Sequence, residues 1–444
     1  MPAPLLSRFQ RGFLILAAVG SLAACSAKEE ILPGERIAII DVNLEEGLTP
    51  DPEALAEGPA LGPALANPDF PTPGYNDGHA GGHLALDLPL RQVFSLKVGR
   101  PADDGSELAQ PVADEKAVYA VMPGGVVTSV DRDSGEINWQ IDIDDSTDET
   151  QTSISGGLGI ERDILFAHAG KNAIYAINRQ NGAVLWSKSF PEFLLGGPTI
   201  SSGVVVVTDV NGRIYALAAL DGEQVWNRIG ARGETRMVGV AYPAVIENEI
   251  IFAGGDGELI SLTLDQGRFN WGENLSPVSL LTALDSISDI TAHPVHDGGL
   301  VFAVTQSGLL AVYNARTGRL VWEKRLRGAT MPWLAGKTVY VTTLNGYAFA
   351  LRRNDGAVRW RKALPGAFNM AEPVSEDAIR YTNPVVVSGM VVIASETGAI
   401  HVLDAATGAE ASQLNAGGGI TTAPVVAGKT LYLLSRNGRL SAWR

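Results

Sequence analysis

The sequence is poor in cysteine and in charge. Cys25 is the single cysteine among 444 residues, so a disulfide within the chain is excluded. Charged residues make up 19% of the chain, and the formal net charge is −15. A chain this acidic is a poor candidate for general binding to nucleic-acid phosphates. We therefore expect no nucleic-acid partner.

The apolar run near the N-terminus, Phe13–Val19, is too short for a membrane-spanning helix, which needs about 20 residues. Arg8 and Arg11 precede it, and Leu-Ala-Ala-Cys follows at residues 22–25, which predicts a signal peptide over residues 1–24. That tetrapeptide resembles the lipobox of bacterial lipoproteins. The resemblance implies that Cys25 carries acyl chains such as palmitate, and that Ser26 directs the protein to the outer membrane, facing the periplasm. A plain secretory leader is the alternative.

Residues 25–83 show no regular period and contain many prolines, which interrupt helices and strands. We predict a lipidated cysteine followed by a Pro/Gly-rich linker that separates the body from the membrane. Docking of this segment on the body is the alternative.

A repeat fills the chain from about residue 84. Each unit has a turn position, a glycine ten residues later, and in six units a tryptophan four residues after that glycine. Asn-Gly and Asp-Gly pairs supply the positive φ of tight hairpin turns, and we expect Asn172 to adopt it too. The turn positions are Gly125, Asn172, Gly212, Gly257, Gly308, Gly346 and Gly398; the later glycines are Gly135, Gly182, Gly222, Gly267, Gly318, Gly356 and Gly408; the tryptophans are Trp139, Trp186, Trp226, Trp271, Trp322 and Trp360.

Two further apolar runs precede each hairpin, which makes four strands per repeat. Four strands at this period predict an all-β, eight-bladed β-propeller over residues 84–444, with the tryptophans between neighbouring sheets. The eighth repeat stops at Arg444, before its second turn. Residues 90–98 resemble the missing strand, with Phe94 in the place of tryptophan. We predict that they complete the last blade as its outer strand. Ser412 stands where the seventh tryptophan is expected.

The repeats resemble the PQQ-type propeller repeat, as in Thr317-Gly318 followed by Trp322. Lipobox, linker and propeller together resemble the BamB family of outer-membrane lipoproteins. The resemblance implies a scaffold without cofactor, metal or catalytic activity in the Bam complex. It also implies docking on the BamA insertase and assistance to unfolded outer-membrane proteins, which blade edges could hold by strand addition.

Two stretches resemble the loops of this family that meet BamA. The first is Arg-Gly-Glu-Thr at residues 232–235, and the second is Ser-Asp-Ile at 288–290. The resemblance implies Ile229, Arg232, Glu234 and Asp289 as partner-binding residues, although Ala231 and Thr291 depart from the family pattern. Exposed arginine on a loop is well suited to an interface. The alternative is that Arg232 and Asp289 satisfy loop backbone or each other.

Two other functions remain open. A periplasmic PQQ-dependent quinoprotein dehydrogenase shares the repeat type, but such enzymes hold calcium with Glu, Asn and Asp, and no such set can be assigned here. The second alternative function is that of a generic periplasmic binding module with another partner. The pairs His79/His83 and His293/His296 are weak metal signals without a third ligand. The polar residue four positions before each later glycine, as at Asp131, predicts turn hydrogen bonding.

Overall fold

A computed structural model describes residues 47–102, 108–143, 156–229, 241–254, 257–275, 290, 292–306, 308–326, 328–369 and 378–444. All of them fall within one compact unit, Leu44–Arg444. The other unit, Met1–Asn43, contains the predicted signal peptide and Cys25 and lies outside the described residues. Within the described ranges, no helix combines the length and apolar character needed to cross a bilayer.

The described chain folds into eight four-stranded antiparallel sheets, as the repeat predicts. We number the blades one to eight, and call the first strand of each blade inner and the fourth outer. The strands are β1 (Gln92–Lys97); blade one, β2 (Val112–Ala113), β3 (Ala117–Val121), β4 (Val126–Asp131), β5 (Ile137–Asp142); blade two, β6 (Gly157–Glu161), β7 (Ile164–His168), β8 (Ala173–Asn178), β9 (Val184–Ser189); blade three, β10 (Leu194–Ser201), β11 (Val204–Asp209), β12 (Arg213–Ala218), β13 (Gln224–Ile229); blade four, β14 (Ala244–Ile246), β15 (Glu249–Ala253), β16 (Glu258–Thr263), β17 (Phe269–Asn274); blade five, β18 (Val295–Asp297), β19 (Leu300–Val304), β20 (Leu309–Asn314), β21 (Leu320–Arg325); blade six, β22 (Trp333–Ala335), β23 (Thr338–Thr342), β24 (Tyr347–Arg352), β25 (Val358–Ala363); blade seven, β26 (Val385–Val387), β27 (Met390–Ala394), β28 (Ala399–Asp404), β29 (Glu410–Asn415); and blade eight, β30 (Val425–Ala427), β31 (Thr430–Ser435), β32 (Arg439–Trp443).

The ring closes where the sequence predicts. The strand β1 pairs antiparallel with β32, so Phe94 faces Ala442 and Leu96 faces Leu440, and β1 becomes the outer strand of blade eight. This pairing joins the two ends of the propeller and leaves no three-stranded blade with an extra free edge.

The turn chemistry confirms one prediction and corrects another. Asp131 accepts a hydrogen bond from the N–H of Ser134 at 2.8 Å, and Asn178, Asn314 and Asp404 cap their turns in the same way. Asn172, however, does not adopt positive φ; the expectation was wrong. Gly170 takes that conformation in blade two, with φ of +74°. Glycine has no Cβ to clash there, so asparagine is not needed for it.

Each tryptophan of the repeat joins its blade to the next. The indole lies against the later glycine of the following blade, where an added Cβ would come 2.7–2.9 Å from the ring. The indole N–H also donates to the carbonyl three residues before that glycine, as from Trp186 to Ala219 at 3.1 Å. Phe94 covers Gly135 in the same manner across the seam. The carbonyl of Arg132, which an indole would bond, accepts from Arg444 at 3.4 Å instead.

The exception at Ser412 follows from this geometry. A tryptophan there would need the glycine turn between the third and fourth strands of blade eight. Those strands are β32 and β1, which come from opposite ends of the chain, so no turn joins them. Blade seven therefore has no glycine surface to cover.

Residues 59–90, which we call the cap segment, dock on the turns between inner and second strands. The part of the predicted linker that the structure describes is thus docked on the body, the alternative named above. The cap segment bonds the inner-strand region of every blade. Its partners are Phe70 with Ala113, Pro71 with Ile160, Asp77 with Ser201 and Val245, Gly78 with His296, Gly82 with Leu334, Leu84 with Val386, and Asn67 with Gly428. We call this end of the propeller the cap end.

A short helix, α1 (Pro52–Glu57), precedes the cap segment and packs on the outer strand β25. Asp51 is its N-cap, with a side-chain oxygen that accepts from the N–H groups of Glu53 and Ala54 at 2.8 and 3.0 Å. Pro52 at the first helical position suits this start, since proline lacks an N–H that would need a partner.

Candidate functional site

A cleft of ≈ 510 Å³ lies between blades two and three, at the end of the propeller opposite the cap. Its lining comes from the end of β9 and the chain after it, from the turn between β11 and β12 with the first residues of β12, and from the outer strand β13. Ile229 ends β13 at this cleft and is 55% exposed. An aliphatic side chain this exposed beside a cleft is accessible to a partner protein.

Two aromatic rings form the buried side of the cleft. Phe190 and Tyr215 have ring centroids 4.7 Å apart and tilted planes, and both are nearly inaccessible to solvent. Burial, together with the nearby carboxylate of Asp209, raises the pKa of Tyr215 to about 12, so its hydroxyl stays protonated at neutral pH.

The carboxylate of Asp209 holds the neighbouring turn in place. One oxygen accepts from the N–H groups of Asn211 and Arg213 at 2.9 Å, and the other accepts from the hydroxyl of Tyr215 at 3.1 Å. This carboxylate is therefore already satisfied by donors although it is buried. Arg213 bonds Asn227 at 3.0 Å, which holds its guanidinium at the cleft.

The sequence alone did not identify Asp209, Phe190 or Tyr215. A signal was nevertheless present: blades five to eight carry a hydroxyl residue three positions before the turn glycine, and blade three carries aspartate. The hydroxyl residues are Thr305, Thr343, Ser395 and Ser435. Their side chains accept from the backbone at that turn in blades five to seven, as in the bond from Tyr347 N to Thr343 at 3.1 Å. Aspartate adds a second oxygen, which is the one that reaches Tyr215.

Of the predicted interface residues, the structure describes Ile229 alone. Arg232, Glu234 and Asp289 lie outside the described residues. Ile290, next to Asp289, is buried in the core of blades four and five. The cleft residues Lys188, Glu192 and Arg213 give the surface around Ile229 both signs of charge.

One histidine from each of the two pairs in the sequence, His79 and His293, meets the other at the cap. The ring centroid of His79, in the cap segment, lies 5.4 Å from that of His293, and the ring centroid of Tyr242 lies 4.4 Å from that of His293. Burial lowers the pKa of His79 to about 4 and holds that of His293 well below its ordinary value, so both rings are neutral at pH 7. Among the described residues, no group of three or more histidine, cysteine or carboxylate side chains could hold a metal ion.

The sequence comparisons with known proteins point to one family. A family model described as outer membrane protein assembly factor BamB matches residues 105–362 and 367–443. The outer membrane protein assembly factor BamB of Yersinia pestis is 26% identical over 357 residues, which cover 79% of this chain and 88% of the relative.

Solved structures share the fold. The crystal structure of BamB from Moraxella catarrhalis has a TM-score of 0.67 at 21% identity and covers 80% of this chain and 100% of that chain. The quinohemoprotein alcohol dehydrogenase of Comamonas testosteroni has a TM-score of 0.64 at 13% identity, with 88% and 84% covered. These likenesses concern the fold, whereas the family model matches most of the propeller sequence itself. The chain therefore belongs to the outer membrane protein assembly factor BamB family.

Proposed function

We propose that the protein is a scaffold subunit of the machinery that assembles β-barrel proteins in the outer membrane, and that it is not an enzyme. The match of the BamB family model to residues 105–362 and 367–443 carries this proposal. Relatives in this family are named as assembly factors. Across the described ranges, no group of three or more histidine, cysteine, aspartate or glutamate side chains could hold a metal ion.

The partner surface of this proposal is the end of the propeller opposite the cap. Ile229 projects there beside the cleft, and the predicted contacts Arg232, Glu234 and Asp289 follow β13 and β17 in the chain. Outer strands leave each blade at this end, since a fourth antiparallel strand ends opposite the first turn. An exposed aliphatic anchor with nearby charges is suited to docking on a BamA-like insertase.

Membrane attachment is the second part of the proposal. Lipidated Cys25 would hold the protein at the outer membrane on the periplasmic side, where the insertase and unfolded outer-membrane proteins are found. Several acyl chains give stable anchoring, whereas one does not. Mass spectrometry of the mature N-terminus tests this directly: an acylated Cys25 is expected, and a free cysteine or an uncleaved leader would contradict it.

Affinity purification from mild detergent tests the docking surface. The parent protein should recover a large outer-membrane insertase, and Ile229→Asp, Arg232→Glu and Asp289→Arg should each reduce that recovery while circular dichroism shows an intact fold. Leu220→Asp is the matched control, because Leu220 is exposed at a turn on the cap end. Recovery that is equal in all variants, or a parent protein that recovers no barrel partner, would refute the proposed surface.

A further inference from the structure

The outer strands of blades one to seven each begin with a β-bulge that pushes two side chains outward. The register shifts at the second and third residues after the later glycine, as at Val184 and Leu185 in β9 and at Leu320 and Val321 in β21. The same shift occurs in β5, β13, β17, β25 and β29. We call these two residues the bulge pair of each blade.

In blade six the chain covers its own bulge pair. The pair is Val358 and Arg359, and both are 1% exposed because α1 packs on them. The N–H of Asp51 donates to the carbonyl of Val358 at 2.8 Å, and the buried guanidinium of Arg359 bonds the carbonyl of Ala54 and, at 3.2 Å, the carboxylate of Glu57. A bulge pair is therefore a surface on which a capped helical turn can dock.

The bulge pairs of blades two and five are equivalent positions that lie open. Val184 and Leu185 are each 51% exposed, and Leu320 and Val321 are 51% and 47% exposed. Both residues of these pairs are apolar, whereas the pair of blade seven begins with Glu410. A partner that covers exposed apolar pairs of this kind removes their surface from water, which favours binding.

The occupant is better described as a helix than as a strand. A bulge interrupts the regular spacing of backbone donors and acceptors, so an extended segment cannot pair continuously with this part of the edge. The second half of β21 carries Glu323, Lys324 and Arg325, and charges on an edge also disfavour strand addition. Blade six shows how a segment can bind a bulge pair: Asp51 makes one backbone hydrogen bond to Val358, and the helical turn that follows covers the pair.

We propose that the bulge pairs of blades two and five bind a short amphipathic helix of a partner protein in the way that blade six binds α1. Apolar side chains stand where Arg359 stands in blade six, so the partner helix should present apolar residues and not a carboxylate at the position of Glu57. This surface lies on the sides of the propeller, apart from the cleft at Ile229. The bulge pairs and Ile229 can therefore be substituted separately.

A stapled helical peptide provides the probe. It carries the sequence of residues 50–58 with Glu57→Leu, and its binding to the full-length protein is followed by fluorescence anisotropy. Leu185→Asp combined with Val321→Asp should weaken binding at least about tenfold, and each single substitution should remove one of two sites. Leu220→Asp is the control for an exposed leucine outside the bulge pairs and should leave binding unchanged.

Three results would overturn the inference. The first is binding that the double substitution leaves intact, and the second is tighter binding of an unstapled peptide that Ala54→Pro keeps extended. The third would come from photo-cross-linking in cells. A cross-linking residue placed at Leu185 or Val321 is expected to attach to a helical segment of another protein, whereas one at Ala411 is not. Attachment to a second copy of this chain, or to an extended segment, would contradict the proposal.

Discussion

The contact between a tryptophan and the glycine of the next blade can be tested at Gly182. Its φ is +75°, and an added Cβ would lie 2.9 Å from the indole of Trp139. Gly203 provides the matched control, because its φ is +76° and nothing lies within 4 Å of an added Cβ. The two glycines thus differ in the aromatic contact and share the same φ.

The expected loss of stability has two causes, the positive φ and the contact with the indole. Positive φ costs alanine about 1 kcal/mol at either position. At Gly182 the methyl group must also displace the indole, and overpacking of this kind costs about 1–3 kcal/mol. We therefore expect Gly182→Ala to lower the free energy of unfolding by about 2–4 kcal/mol, and Gly203→Ala by about 1 kcal/mol.

Urea unfolding followed by far-UV circular dichroism measures both values, provided that the slope with denaturant is unchanged. In the Trp139→Ala background, the cost of Gly182→Ala should fall to that of Gly203→Ala, because the displaced ring is gone. Equal costs for the two glycines in the parent background would refute the reasoning. The aromatic contact would then not be what couples neighbouring blades.

Three further predictions concern the seam, the cap and α1. Phe94→Ala should lower the free energy of unfolding by about 2 kcal/mol, because the ring covers Gly135 across the seam; unchanged urea stability would contradict this. Because burial lowers the pKa of His79 from 6.5 to about 4, the unfolded chain takes up the proton first, and stability should fall as pH drops through that window. His79→Asn should reduce this pH dependence, and an unaltered pH profile would exclude a contribution from His79. Arg359→Met should speed hydrogen exchange in residues 51–57, because the guanidinium holds Ala54 and Glu57; unchanged exchange would show that other contacts keep α1 in place.

The cap segment is part of the propeller and not a free linker between the propeller and the membrane. Residues 59–90 bond the inner-strand region of all eight blades, so this part of the chain is integral to the propeller. The cap also accounts for buried groups that sequence reasoning treated separately. His79 and His293 belong to two different pairs in the sequence, and they meet because the cap segment carries His79 onto blade five.

The sequence by itself determined the ring. The pattern has a turn position, a later glycine ten residues on, a polar residue four positions before that later glycine and a tryptophan four residues after it. These features act over a few residues, so their spacing is readable without tertiary contacts. The closing strand was also predictable, because Phe94 stands in a copy of the local pattern around Trp186. Asn172 was misjudged for the same local reason, since Gly170 supplies the positive φ two residues earlier.

Only the tertiary structure revealed that the cap segment docks on the propeller, that α1 covers the bulge pair of blade six, and that a cleft lies between blades two and three. The cap is held largely by backbone hydrogen bonds between residues far apart in sequence, as between Leu84 and Val386, and backbone groups carry no residue-specific signal. In the sequence, Arg359 is an ordinary charged residue of a repeat, and only the docking of α1 makes it a buried one. Phe190 and Tyr215 became a cleft wall because neighbouring blades bring them to 4.7 Å, a distance set by packing of the whole ring.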